Sequence, residues 1–285
     1  MVQGSTIYIG NTSVVKSYLG SQQVDYYPQR FDSGQFAVRS DPYSASLYLA
    51  MPYQLATNLG MTNFYDDISA TIKGTGTNYQ LVPSGSGTLN SSGTPVSSGS
   101  YSFSNDGYST SLYLAATLGS TAKNAGVITT GYTNFGTQPF VIETWIKVPD
   151  VSALYSSHVF GNPSGDQLLC DYSENANTPR FYINGNGGFV VSPTNPFKNG
   201  VWYHLAFVRN GGSNRIYLDG TQIYSFSYAG SVANTPDGFW SILGINDSSY
   251  AEVPTYYQDF RLYIGTDKGY NGTTITPPPS MIYKL

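Results

Sequence analysis

Residues 215–224 spell out a β-hairpin: Arg215-Ile216-Tyr217-Leu218, then Asp219-Gly220, then Thr221-Gln222-Ile223-Tyr224. Asp-Gly between two alternating runs selects a two-residue turn with positive φ at both central positions, and the twist of that turn matches paired strands. Just upstream, residues 201–209 (VWYHLAFVR) are apolar on both alternating faces, which predicts a central strand covered on both sides. Residues 140–148 alternate differently, with Phe140, Ile142, Ile146 and Val148 on one face and Glu143, Trp145 and Lys147 on the other. Near the C-terminal end, Phe260, Leu262 and Ile264 oppose Asp259, Arg261 and Tyr263. No window sustains the i, i+3, i+4, i+7 apolar spacing of a helix, and short β-branched or aromatic runs broken by Gly, Pro, Asn and Asp recur throughout. The pattern predicts an all-β chain built as an antiparallel sandwich or jelly roll.

Composition removes several functional classes. The 285 residues carry 13 Lys+Arg against 17 Asp+Glu, and charged residues make up 11%, less than half the roughly 25% of an average soluble domain. So few scattered cations do not make the dense field that replaces counterions on nucleic acid. A 40% hydrophobic content buries a sizeable core and argues against acidic disorder. The single cysteine, Cys170, has no partner within the chain and reads as a small buried hydrophobe. The apolar runs at residues 47–51 and 112–116 fall far short of the roughly 20 residues a spanning helix needs, so no membrane insertion is expected. The first ten residues have neither a basic start nor an apolar stretch, so no secretory signal is read and synthesis in a cytoplasm is expected. The surface predicted from Ser, Thr, Asn, Gln, Gly and 26 Tyr is polar but uncharged, which suits crowded assembly or glycan contact.

Two stretches bear on organisation. Tyr8-Ile9-Gly10 with Val14 returns ten residues later as Tyr18-Leu19-Gly20 with Val24. Each unit is too short to hold a core, so the stretch is expected to pair as a hairpin and lean on another body. Residues 83–100 are almost pure Ser, Gly, Thr and Pro, the composition of a linker or of a long surface loop.

From Asp41 onward the chain resembles the concanavalin A-like jelly rolls of the laminin G type, in the form common in phage and marine viral structural proteins. The segments that carry the likeness are Asp41-Pro42-Tyr43-Ser44-Ala45-Ser46-Leu47-Tyr48-Leu49 as opening strand, residues 101–114, Phe140-Val141-Ile142-Glu143-Thr144-Trp145-Ile146, residues 202–209 with Tyr217-Leu218-Asp219-Gly220, and Gln258-Asp259-Phe260-Arg261-Leu262-Tyr263. The resemblance implies a concanavalin A-like antiparallel jelly-roll sandwich over residues 41–285, with residues 83–100 inside it, preceded by a short β attachment segment over residues 1–40.

The fold family includes glucanases, in which the resemblance predicts acids alternating along one strand as Glu-x-Asp-x-Glu. Retaining hydrolysis needs two carboxyl groups roughly 5–5.5 Å apart. None of the 17 acids here has another at i+2 or i+4, and Glu143 is flanked by Val141 and Trp145 at those alternating positions. Only acids from different strands remain for such a pair. His158, His204 and Cys170 are the whole supply of soft metal ligands, too few for a catalytic zinc site, and His204 reads as a core histidine with satisfied ring nitrogens. Gly185-Asn186-Gly187-Gly188 reads as a tight turn, since no helix follows it to make a phosphate loop. Laminin G-type domains often hold calcium at the sandwich rim, and residues 244–252, with Asn246, Asp247 and Glu252, offer hard oxygen ligands; a solvated polar loop is the alternative reading.

The expectation that follows is a non-enzymatic structural protein on the exterior of a bacteriophage virion, as head decoration, neck or tail appendage. It joins other virion proteins through Tyr8, Ile9, Tyr18 and Leu19, in many copies or as a homo-oligomer. The alternative is a carbohydrate-binding adhesin for host surface glycan, with Tyr172, Asn246, Asp247, Tyr250 and Tyr256 as rim residues, because a tyrosine offers a sugar both a ring face and a hydroxyl. A glucan hydrolase is the third reading. No resident cofactor is required by any of the three.

Overall fold

The computed structural model describes residues 5–9, 12–19, 22–24, 36–38, 40–51, 88–90, 111–116, 126–129, 135–150, 157–162, 167–173, 178–184, 197–234, 239–242, 252–279 and 281–284. In chain order the strands begin with β1 (Ser5–Ile9), β2 (Thr12–Leu19), β3 (Gln22–Val24), β4 (Phe36–Val38), β5 (Leu47–Met51) and β6 (Thr88–Asn90). Next come β7 (Ser111–Ala116), β8 (Gly126–Thr129), β9 (Phe140–Lys147), β10 (Ser157–Gly161), β11 (Leu168–Ser173) and β12 (Thr178–Ile183). The last six are β13 (Trp202–Asn210), β14 (Ser213–Leu218), β15 (Thr221–Ser227), β16 (Phe239–Ile242), β17 (Glu252–Ile264) and β18 (Ile282–Lys284). No helix among the described residues is long and apolar enough to cross a membrane.

Two antiparallel sheets form the sandwich. The larger has eight strands in the order β15-β14-β13-β9-β17-β7-β6, with β5 beside the second half of β17. The smaller has five, in the order β12-β11-β10-β16-β8. The core between them takes Phe140, Ile142 and Ile146 from β9, Leu205 and Phe207 from β13, and Phe260 and Leu262 from β17. Facing them are Phe160, Leu168, Cys170, Phe181 and Trp240 from the smaller sheet. Phe135 sits edge-on to Phe140 at 5.1 Å and to Trp240 at 5.4 Å, and Phe160 stacks on Trp240 at 5.8 Å. Each such pair adds about 0.5–1.5 kcal/mol beyond area burial. Burial and the neighbouring Asp171 push the Cys170 thiol well above its ordinary pKa, in keeping with the inert role read from the sequence.

The outer face of the larger sheet is also covered. Val141, Ala206, Val208, Tyr217 and Tyr263 pack there against Tyr270, Ile275 and Met281. The segment that carries those last residues is stitched down by backbone bonds from Gly265 N–H to Pro139 O, Gln222 N–H to Thr273 O and Ile275 N–H to Gly220 O. The hydroxyl of Tyr217 donates to Gly272 O at 2.7 Å. Strands β9 and β13 are therefore buried on both sides over nearly their whole length, as the two-faced apolar run of residues 201–209 requires.

Asp219 (φ 47°) and Gly220 (φ 75°) form the predicted turn between β14 and β15. Asp219 also fastens the hairpin to β13: its Oδ1 accepts from His204 N–H at 2.8 Å, and its own N–H donates to His204 O at 2.8 Å. The alternation did not reveal a bulge in β15, where Ile216 pairs with Tyr224 and Tyr217 with Gln222, so that Ile223 has no partner across the ladder. The expected opening strand is shorter than residues 41–49. Asp41 Oδ1 accepts from Tyr43 N–H at 2.8 Å, residues Ser44–Ser46 make a 3₁₀ turn, and the strand begins at Leu47. Proline at position 42 and an aspartate that bonds the backbone two residues on favour a turn there.

The doubled N-terminal unit forms a three-stranded antiparallel sheet in the order β1-β2-β3. Tyr8 pairs with Ser13 and Ile9 with Thr12 at the end of β1, and Tyr18 pairs with Gln23 and Leu19 with Gln22 at the end of β2. β4 pairs with β18, and β6, within the Ser/Gly-rich stretch, pairs with β7.

The Asp219 turn generates the first prediction. Replacing Asp219 by Ala removes the cap on His204 N–H and puts an unsuited residue at positive φ, which is expected to cost about 1–2 kcal/mol in urea unfolding. Asp219→Asn, which tolerates the same φ and keeps an acceptor oxygen, is expected to lose less than half as much.

Candidate functional site

Adjacent strands bring charged side chains together on the covered outer face. Arg261 of β17 lies opposite Glu143 of β9. A bulge in β17, where Gln258 pairs with Trp145 and Arg261 with Glu143, holds Asp259 at φ 57° and places its carboxylate on the Arg261 guanidinium. The Nη2–Oδ2 distance is 2.8 Å and the Nε–Oδ1 distance 3.3 Å. Lys268 comes from the turn after β17, at φ 56°, and its Nζ donates to Glu143 Oε1 at 2.5 Å. Three tyrosine rings surround that ammonium, Tyr263 at 4.4 Å, Tyr270 at 5.0 Å and Tyr43 at 5.7 Å, a cation–π arrangement that partly replaces lost hydration. The Tyr270 hydroxyl donates to Glu143 Oε2 at 3.4 Å.

Burial disfavours ionisation of Glu143, but Lys268, then His204 and Arg261, outweigh it and hold the carboxyl well below the usual carboxylate range. Burial lowers Lys268 in spite of Glu143. Asp259 is raised by burial, against the pull of Arg261. Arg261 itself resists its burial, because Asp259 and other acidic groups beside it hold it well above its ordinary value. His204 is buried as expected, but its ring nitrogens are not satisfied as the sequence reading supposed. Nε2 lies 3.4 Å from Glu143 Oε2 without hydrogen-bond alignment, and Nδ1 has no hydrogen-bond partner. The ring stands edge-on to Trp145 at 5.6 Å.

Beside this cluster opens a pocket of about 570 Å³, lined by residues 40–43, Arg261, residues 268–270, residues 274–279 and Met281. Among the described residues Asp41 is the only acid in its wall, and neither Glu143 nor Asp259 lines it. Asp41 Oδ2 accepts from the Tyr263 hydroxyl at 2.5 Å, and the Tyr43 hydroxyl donates to Lys268 O at 2.9 Å.

Of the rim residues expected from the sequence, Tyr256 lies in β17 on the same outer face, half-buried. Its ring lies under Lys147 Nζ at 4.3 Å, in a cluster with Trp145 and Trp202. Tyr172 lies in β11, paired with Ser157 and Pro179. Asn246, Asp247 and Tyr250, with most of the proposed calcium loop, lie outside the described residues. The structure therefore brings none of these five together among the described residues. No group of three or more His, Cys, Asp or Glu able to hold a metal ion occurs among the described residues. The sequence reading missed Asp41, Tyr43, Lys268 and Tyr270. Asp259 and Arg261, two opposite charges interleaved with Phe260, Leu262 and Ile264, were the one available signal.

Residues 119–271 match the Laminin_G_3 family, concanavalin A-like lectin/glucanases superfamily. The match spans more than half of the 285 residues, and the chain belongs to that superfamily. Among solved structures it is similar to the binding domain of Paraclostridial Mosquitocidal Protein 1, with a TM-score of 0.47 and 14% identity over 80% of this chain and 51% of that one. It is also similar to domain 4 of AbnA, a GH43 extracellular arabinanase from Geobacillus stearothermophilus, solved in complex with arabinotriose (TM-score 0.45, 14% identity, 81% of this chain and 98% of that one). A third is the binding domain of botulinum neurotoxin DC in complex with SialylT (TM-score 0.44, 14% identity, 80% of this chain and 50% of that one). The chain spans about half the length of the first and third of these. No curated protein matches the chain.

Two predictions follow from the ion pairs. Glu143→Gln leaves the Lys268 ammonium buried beside a neutral partner and is expected to cost about 3–5 kcal/mol, whereas the joint replacement Glu143→Met with Lys268→Met is expected to cost less than either single change. The pH dependence has a definite sign. A carboxylate with a depressed folded pKa contributes stability above its unfolded value and loses it as pH falls towards the folded one. The gap in Tm between wild type and Glu143→Gln is therefore expected to be full above pH 4.5, the ordinary value for this group, and to shrink below it.

Proposed function

We propose that the chain is a non-enzymatic, lectin-like display protein on the exterior of a bacteriophage virion, joined to other virion proteins through its N-terminal segment. One observation carries the non-enzymatic reading. The two carboxylates that converge on the outer face are each held by a cation, are 1% and 2% exposed, and do not line the adjacent pocket. A glycosidase needs one carboxyl to protonate a leaving group and another to attack or activate water. The opposite pKa shifts of Glu143 and Asp259 do resemble those of an acid–base pair, but both carboxyls are buried and neither lines the pocket. The virion reading is supported by the low-charge, tyrosine-rich composition and by the N-terminal meander, whose strands β1–β3 pair only with one another among the described residues.

A second reading, a glycan-binding adhesin, is favoured by the pocket itself, and a displayed protein can also be an adhesin. The test of the first has two arms. Incubation with laminarin is expected to release no reducing sugar, and release abolished by Glu143→Gln would overturn the non-enzymatic reading. Deleting residues 1–24, which removes β1–β3 but keeps the β4–β18 pairing, is expected to leave a folded protein that no longer co-purifies with particles. Retained incorporation would move attachment to the sandwich.

A further inference from the structure

We propose that the pocket between residues 40–43 and the proline-rich segment 274–279 binds the end of a neutral oligosaccharide, with Arg261 as its fixed donor. The inference rests on the adhesin reading and deepens it.

The first observation is an unused donor. Arg261 places Nε and Nη2 on Asp259, and Nη2 also donates to the carbonyl of Pro279. None of these bonds uses Nη1, which has no hydrogen-bond partner among the described residues. The side chain is 6% exposed and lines the pocket, and Nη1 is not one of the sealed-off polar atoms of the molecule. It is a guanidinium nitrogen with two N–H groups, on a pocket-lining side chain held by a carboxylate and a carbonyl. A donor fixed in this way loses little freedom when it binds an acceptor.

The second observation is the charge balance. The wall and the groups directly behind it hold two cations, Arg261 and Lys268, and three carboxylates, Asp41, Asp259 and Glu143. Lys268 is matched by Glu143 and Arg261 by Asp259, so Asp41 is left as the net charge. Among the described residues, a uronate or sialate entering here meets that carboxylate without a free cation to compensate it. A hydroxyl oxygen accepts from Nη1 at no such cost, and its own proton can go to Asp41 or Ser40.

The third observation is shape. A volume of about 570 Å³ holds roughly one or two sugar rings, within the usual size of small-ligand sites. Tyr43 and Tyr270 supply ring surface and residues 277–279 a run of three prolines, apolar faces suited to the C–H side of a sugar. Ser40, Thr274 and Thr276 line the opening, and all three are exposed.

The test uses the full chain and a panel of neutral trisaccharides (laminaritriose, maltotriose, cellotriose and arabinotriose) with digalacturonate and 3′-sialyllactose as charged controls, read by saturation-transfer NMR and calorimetry. At least one neutral trisaccharide is expected to bind. Its affinity is expected to fall at least about tenfold in Ser40→Trp and in Thr276→Trp, two rim changes that fill the pocket without touching the ion pairs, at unchanged Tm. Arg261→Lys, which keeps the charge against Asp259 but loses Nη1, is expected to weaken binding by a similar factor. Neutral binding that survives both tryptophan variants within about twofold would overturn the pocket while leaving the adhesin reading intact. Binding of the charged sugars alone would overturn the assignment to neutral ligands. No binding by any of the six would sink both the pocket and the adhesin reading, and leaves virion display untouched.

Discussion

The contact between Lys268 and Glu143 is what the rest of this architecture turns on. Strand β9 runs through the middle of the larger sheet and is buried on both faces, so its one acid cannot reach water. An isolated carboxylate in that position would cost several kcal/mol. The turn that follows β17 solves the problem by dropping an ammonium onto it, and the same turn begins the segment that covers the outer face. Charge compensation and layer formation are thus one event. Without Lys268, Glu143 loses its closest cation; without the covering segment, Val141, Val208 and Tyr217 lose the residues that bury them.

Arg261 and Asp259 repeat the logic one strand away, with a bulge in β17 in place of a turn. Both carboxylates of this cluster are thus engaged by cations within the fold. The superfamily contains both lectins and glucanases, and the feature that separates the two here is access rather than the presence of acids. The pocket wall receives from this cluster only a guanidinium edge, the Lys268 turn and the Tyr270 ring, together with Asp41 from the far side. Among the described residues, that wall presents one carboxylate, Asp41, where the paired mechanism of a glycosidase uses two.

Much of the scaffold was legible in the amino-acid order. The Asp219-Gly220 turn, the doubly covered strand at residues 201–209 and the two-faced pattern of residues 140–148 follow from short-range rules, because hydrophobic alternation and turn chemistry are local. The bulges at Ile223 and Asp259 were not legible, since a bulge is a property of two strands and is visible only once their register is known. The pocket was hidden for the same reason on a larger scale. Asp41 and Tyr263 meet across 222 positions of sequence and Lys268 and Glu143 across 125, and no local signal connects them. Tyr256 has the residue type of a sugar contact, yet its ring is engaged by Lys147, and of the side chains that wall the pocket only Arg261, two positions from Asp259, carries a local signal.

The central claim is that Glu143 is a structural anion and not a catalytic acid. It is tested most directly by following the side-chain carboxyl carbon of Glu143 by NMR as pH is lowered from about 8 to 4, a range that includes the ordinary glutamate pKa. The account predicts that Glu143 stays ionised throughout, with no titration step while the fold persists. A titration of that carbon near neutral pH, as in a general acid awaiting a substrate, would contradict it.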